Sequence, residues 1–348
     1  MKILVFTDDM VGPSMAGSAL RAWELSRVLL DAGHDVRLTA GPGSAPPEGH
    51  GPPVVTKPSW RWAEVVLSPP WCLPPRAFVG DHLLVVDGAT PLLAELAASP
   101  GTPEITRRRR TAAARLPLVA ARADAILVAS EEQARWWERI LFRRPEVPMI
   151  DVPFGIPVED PTADVEEIHG VPSNWAVVLW WGGVWPWLDL DTLLAARARL
   201  ESRRVSVVVP TARRPGGIVR FTAEELDAAA SRHGLQRPAV APLERWVPYA
   251  ERNRILNRSS ILAVLHHPGL EAELSFRTRA LDGVWAAVPM ILSEGGAAAR
   301  IANSAGWGAV VPSGDARLAA AAIDLLLSDR SQKRCRSSLA KDRPAWRW

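Results

Sequence analysis

Apolar residues along this chain follow two alternating rhythms. Ile3-Leu4-Val5-Phe6 is an unbroken apolar run, the pattern of a parallel strand buried on both faces. After a Gly-bearing loop at 7–17, Ala19, Leu20, Trp23, Leu25, Val28 and Leu29 recur at helical spacing up to Gly33, a natural helix stop. A second strand is expected at 36–39, and others at 65–67, 83–86 and 125–128. The Gly- and Pro-rich stretch 41–53 reads as a loop. The segment 151–157, DVPFGIP, reads as a strand ending in a Pro/Gly turn, and the polar, acidic stretch 159–167 separates it from the second half of the chain.

The rhythm then restarts. It predicts a strand at 176–180, a Gly loop, a helix at 190–200, a strand at 205–209 and a helix at 223–233. A strand or turn near 245–247, a strand at 261–265, a helix at 276–287, a strand at 290–292 and an Ala-rich helix at 316–327 complete it. Strands alternating with helices define the α/β class, here as two Rossmann-like, doubly wound parallel-sheet domains. The expected boundaries are 1–157 and 158–330, with 331–348 starting a terminal segment. Two such domains in succession leave a cleft facing the carboxyl ends of both sheets, where ligands bind.

Composition changes this picture little. A chain of 348 residues suits two cores better than one, and 48% hydrophobic with 23% charged residues is globular. No run reaches the roughly 18 apolar residues of a membrane span, and the opening strand is too short for a signal peptide. Cys72 and Cys335 are the only cysteines and lie far apart, which argues against a disulfide framework or thiolate zinc site and fits a reducing cytoplasm. A net charge of +3 is too small to point to nucleic acid. Much of the basic excess sits in Arg107-Arg108-Arg109-Arg110, either a solvated helix face or a patch for an anionic acceptor or a membrane surface.

Candidate chemistry is sparse in the first half. The loop Gly12-Pro13-Ser14-Met15-Ala16-Gly17 lacks the G-x-G-x-x-G spacing, and nothing matches a P-loop, so hydride transfer and P-loop chemistry lose support. It is a turn into a helix or an anion-binding loop. Asp189-Leu190-Asp191 has the look of a D-x-D metal motif, but it stands directly before a helix, where Asp caps free N–H groups. His266-His267 reads as loop structure at a strand end. No cluster has metal-ligand spacing, and no metal is expected.

The stretch 266–289, HHPGLEAELSFRTRALDGVWAAVP, is the most informative. Ser275 is a candidate N-cap, and the helix start would offer free N–H groups to a diphosphate. Arg277 and Arg279 add charge suited to phosphate. Asp282, seven residues after Ser275, would lie about 10 Å along that helix, the span from a diphosphate to its ribose.

These motifs, taken in order, resemble a retaining GT-B glycosyltransferase related to family four (glycosyl transferases group 1). The resemblance runs over nearly the whole chain: MAGSALRAWELSRVL, ADAILVASEEQARWW, VPFGIP, WWGGVWPWLDLDTLL, VVPTARRP, RWVPYAERN and ELSFRTRALDGVWAAVPMI. It implies a nucleoside-diphosphate sugar as substrate, with no further cofactor, and transfer to an acceptor hydroxyl of a glycan, lipid-linked sugar or small natural product. The first domain would take the acceptor, with Met15 and Gly17 on that side, and the second would bind the donor. No nucleic acid and at most peripheral membrane contact are expected.

The family's E-x7-E pattern is degenerate here. Asp282 matches its second acid, Leu274 stands where the first should be, and Glu273 is the nearest substitute with Glu271 in reserve. The basic pair expected after the first strand of the second domain is replaced by Gly182-Gly183-Val184-Trp185-Pro186-Trp187. The resemblance therefore assigns the leaving diphosphate to Arg279, Arg277 and Arg213, close to Gly182 and Gly183 and with Thr211 alongside. Ser275 and Phe276 fall on the donor side. Trp185 and Trp187 would shield the donor or pack between domains, and Val247 would read the base through its backbone. Asp87, at a strand end, is a candidate for contacting donor or acceptor, or a plain cap. A pseudoglycosyltransferase and a catalytically silent nucleotide-sugar-binding protein remain as alternatives, whereas a nucleotide-sugar epimerase is disfavoured by the shortage of His. The family usually closes with a helix returning to the first domain, which Ala345-Trp346-Arg347-Trp348 would begin.

Overall fold

A computed structural model describes residues 1–47, 49–55, 57, 60–212 and 221–348. It divides into two compact units, Met1–Phe154 with Leu274–Phe276, and Gly155–Glu273 with Arg277–Trp348.

The first unit holds strands β1 (Lys2–Phe6), β2 (Asp35–Thr39), β3 (Val65–Ser68), β4 (Leu83–Asp87), β5 (Ala125–Val128) and β6 (Met149–Asp151). They form one parallel sheet in the order β2-β1-β3-β4-β5-β6. Its helices are α1 (Gly17–Asp31), α2 (Leu92–Ala98), α3 (Pro103–Arg122) and α4 (Glu131–Ile140). Leu4, Val66, Leu84, Val86 and Ile126 meet Val119 of α3 and Trp137 of α4 in its core. Each such fully buried aliphatic side chain contributes roughly 1.5–3 kcal/mol. The last strand ends at Asp151, short of the expected 151–157. Pro153 has no N–H to donate to a ladder, so the chain leaves the sheet there.

The second unit repeats the plan with β7 (Ala176–Trp180), β8 (Val205–Pro210), β9 (Val240–Leu243), β10 (Ile261–Val264), β11 (Met290–Ser293) and β12 (Gly308–Val311). All pair in parallel, in the order β12-β11-β10-β7-β8-β9. Its helices are α5 (Leu190–Arg199), α6 (Ala223–Ser231), α7 (Arg252–Arg258), α8 (Leu270–Leu274), α9 (Arg279–Ala286), α10 (Gly296–Ala305), α11 (Ala316–Leu326) and α12 (Asp329–Asp342). The 3₁₀ turn Arg343–Trp346 follows α12, and Arg347 bridges Ile156 within this unit.

Two expectations are corrected here. Where a strand or turn was expected near 245–247 there is a bend at Arg245, and the strand lies earlier, at Val240–Leu243, with Pro242 tolerated because β9 is an edge strand. The helix expected from residue 276 begins only at Arg279, because Arg277 has φ +53°, in the left-handed region that no helix interior accepts. Ser275 is therefore no N-cap of α9. Asp282 stands in the first turn of α9 and not two turns along it.

Candidate functional site

The strand order of the second unit reverses direction between β7 and β10. In open parallel sheets the crevice outside the carboxyl ends of two such strands is where ligands bind. Here β7 runs into Trp181-Gly182-Gly183, and β10 into Leu265-His266-His267. Gly182 has φ +82°, and a Cβ there would lie 3.4 Å from Arg279 Nε, so a residue without a side chain lets backbone and guanidinium pack closely. Arg279 Nη2 donates to Gly183 O at 2.6 Å.

Next to this loop stands a pair that joins His266, read from the sequence as loop structure, to Glu271, the reserve acid. His266 Nδ1 lies 2.8 Å from Glu271 Oε2, and both side chains are buried. Burial first, then the Arg277, Arg279 and His267 charges, push His266 well below its ordinary value. The neutral imidazole donates its Nδ1 proton to the carboxylate and keeps Nε2 as an acceptor. Glu273, by sequence the nearest substitute for the missing acid, is exposed on α8. Glu271, the reserve, is the inward one.

The two arginines separate in role. Arg277 Nη1 donates to Ser293 O, and Nη2 to Ala272 O at 3.1 Å and Glu294 O at 2.9 Å. It binds loops of its own unit together from the left-handed position. Arg279 makes only its bond to Gly183 among the described hydrogen bonds. Burial lowers both guanidiniums to about 10, against the pull of Glu271, so both stay charged at neutral pH.

Asp282 occupies a junction. Its Oδ2 accepts from Trp181 Nε1 and its Oδ1 from Arg252 Nε, each at 2.9 Å. Arg252 is itself held between the rings of Tyr249, 3.5 Å away, and Trp285, 3.9 Å away. Sequence reasoning misses Arg252, although it lies in the quoted segment RWVPYAERN. Val247 is buried in the same stretch.

Trp185 and Trp187 stack with centroids 5.6 Å apart and pack on the core of their own unit. Thr211 is buried, and its N–H donates to Leu243 O. Arg213 lies outside the described residues. Asp189 caps α5, with Oδ1 accepting from Thr192 N at 2.9 Å, the capping role expected from its place before the helix. Among the described residues no three His, Cys, Asp or Glu side chains gather as a metal site.

Ser275 and Phe276 group with the first unit, where the Phe276 ring stacks on Phe154 at 5.7 Å. Met15 is buried and Gly17 opens α1. Asp87, named as a candidate ligand contact or a plain cap, stands in a buried ion pair. Arg21 Nε reaches both of its oxygens, at 3.0 and 2.8 Å, and the remaining Arg21 nitrogens donate to Pro153 O and Val152 O. The pairing follows from burial, since a carboxylate 7% exposed needs a counter-charge.

Comparison with solved structures defines the class of fold. Sucrose-phosphate synthase from Thermosynechococcus elongatus superposes with a TM-score of 0.70 at 16% identity, over 100% of this chain and 95% of that one. HepE of Anabaena in complex with UDP-glucose gives 0.69 at 15%, over 99% and 95%. WaaG, a glycosyltransferase involved in lipopolysaccharide biosynthesis, gives 0.68 at 15%, over 98% and 95%. Two six-stranded parallel sheets flanked by helices are thus the GT-B fold. No protein-family model and no curated protein sequence matches the chain.

Proposed function

We propose that the protein transfers a sugar from a nucleoside diphosphate to an acceptor hydroxyl, with the second unit binding the donor and the first the acceptor. The observation that carries this reading is the convergence of Gly182, Gly183, Arg279, Trp181 and Asp282 on the switch point of the second sheet. In the reaction the bond between the anomeric carbon and the diphosphate oxygen breaks, and a bond to the acceptor oxygen forms. The acceptor proton leaves with the diphosphate. Arg279 and the amino end of α9 meet the negative charge that gathers on that leaving group, the role a metal plays elsewhere. Gly182 and Gly183 let the diphosphate approach the backbone, and Asp282 receives ribose hydroxyls. Retention of the anomeric configuration and independence from metal belong to this proposal through the family resemblance.

The solved relative HepE carries UDP-glucose, which makes uridine nucleotides the first donors to try. The test is incubation with UDP-, GDP- and dTDP-sugars in excess chelator, with and without candidate acceptors, measuring release of the nucleoside diphosphate. Acceptor-dependent release supports transfer.

A second reading rests on a specific observation. Leu274 replaces an acid, and the Arg277 donors are turned onto three backbone carbonyls. These features favour a nucleotide-sugar-binding protein without turnover. Binding of the nucleotide sugar, with no release under any acceptor, supports that alternative.

A further inference from the structure

Arg252, the first residue of α7, is fixed on several sides. Its guanidinium carbon lies 3.5 Å from the Tyr249 ring centre and 3.9 Å from that of Trp285, so an aromatic ring covers each face. Trp285 is anchored in turn by its Nε1, which donates to Glu159 O at 2.9 Å. Arg252 Nη1 donates to Tyr249 O, and Nε to Asp282 Oδ1 at 2.9 Å. What remains is Nη2, which is buried and has no hydrogen-bond partner among the described residues. A buried donor without an acceptor is costly, and more so on a charged group.

The direction of that donor follows from the planar guanidinium. Nε–H and one N–H of Nη2 are parallel and share an edge, which a carboxylate ordinarily takes with both oxygens. Asp282 takes only the Nε half. Its Oδ2 accepts from Trp181 Nε1 instead, at 2.9 Å, so the Nη2 half of the fork points to a place beside Oδ1 that no described acceptor fills. The Asp282 side chain is 23% exposed and that of Arg252 only 4%, so a ligand reaches the pair from the carboxylate side. An atom seated there must accept from Nη2 without being repelled by Oδ1. A phosphate oxygen or a carbonyl fails the second condition. A hydroxyl meets both, since it accepts with its lone pairs and donates its proton to the carboxylate.

We infer, on the basis of the donor site proposed above, that Arg252 and Asp282 jointly grip one ribose hydroxyl of the donor nucleotide. Arg252 is then a specificity-determining residue that makes the site selective for the intact ribose diol. A ligand lacking that hydroxyl leaves Nη2 without an acceptor, and sites built to bond a hydroxyl reject the analogue without it.

Calorimetric titration of UDP, 2′-deoxy-UDP and 3′-deoxy-UDP in excess chelator tests this, with the guanosine series in parallel. At least one deoxy form should bind wild type roughly 10- to 150-fold more weakly than its parent, as expected for a lost hydrogen bond to a charged group. Arg252→Lys keeps the charge beside Asp282 but not the fork, and there the penalty should fall below about threefold. Trp181→Phe should lower it as well, because Asp282 released from the indole turns both oxygens onto Arg252 and occupies Nη2 itself. An arginine that merely supports the fold would, when replaced, weaken parent and deoxy forms by the same factor. Circular dichroism checks both variants, and the wild-type ratio needs no variant at all. The inference alone is overturned if a parent nucleotide binds and both its deoxy forms bind within about threefold of it. It is also overturned if the penalty persists undiminished in either folded variant. Absence of saturable binding by both UDP and GDP overturns the donor site and this inference with it.

Discussion

Each unit contains an arginine paired with an aspartate, and the two pairs differ in completeness. Arg21 and Asp87 in the first unit are both deeply buried, and all three guanidinium nitrogens have partners, on the carboxylate and on the carbonyls of Val152 and Pro153. Arg252 in the second unit is about as buried, but its Nη2 has no hydrogen-bond partner among the described residues, and its Asp282 is 23% exposed. A satisfied pair ties α1 to the ends of β4 and β6 and belongs to the fold. The incompletely satisfied pair beside a switch point is the one that the proposed function assigns to the donor. On that proposal the same two residue types serve architecture in one unit and chemistry in the other.

Removing one partner of the complete pair should have the largest effect on stability. Asp87→Ala strands a buried guanidinium and is expected to cost about 3–5 kcal/mol in urea unfolding. Arg21→Ala with Asp87→Ala should cost less than the two single losses combined. A loss below about 1 kcal/mol for Asp87→Ala would erase the contrast between the pairs.

Asp282→Ala sharpens the contrast from the other side. It should destabilise by roughly 1–3 kcal/mol through the groups it leaves unpaired, and it should also weaken UDP binding about 10- to 150-fold. Titration calorimetry on the folded variant decides. Unchanged affinity would return Asp282 to the fold alone.

A smaller effect concerns His266. Its folded value lies well below 6.5 because of burial, whereas the unfolded chain protonates near 6.5. Below about pH 6.5 the unfolded state therefore binds more protons, and stability should fall by up to about 1.4 kcal/mol for each pH unit. The contribution is intact above that pH and is lost as pH drops toward the folded value. Melting curves between pH 7.5 and 5.5 should fall more steeply for wild type than for His266→Asn. Parallel curves would mean that the imidazole is not held neutral.

These distinctions also explain how much of the molecule is legible in its chain. Buried strands such as Ile261–Val264 are unbroken apolar runs, and their positions can be read to within a residue or two. The edge strand Val240–Leu243 cannot, because a proline is acceptable only where one side of the ladder is free, and sequence does not reveal edges. Arg279 meets Gly182 and Gly183, and Asp282 meets Trp181, a residue that the sequence does not single out. The left-handed Arg277 is not legible, since a residue with a side chain rarely adopts that conformation and its neighbours give no breaker signal. Pairs such as Arg21 with Asp87 and Arg252 with Asp282 lie 66 and 30 positions apart, so only tertiary structure joins them.

The central claim is that the switch point of the second sheet binds a nucleoside diphosphate through Arg279. Calorimetric titration of UDP and GDP in excess chelator, on wild type and on Arg279→Ala, addresses it most directly. The account predicts saturable binding of at least one nucleotide to wild type, weakened about 10- to 150-fold in the variant by loss of charge-assisted hydrogen bonds. Equal affinity in the two folded proteins would contradict it.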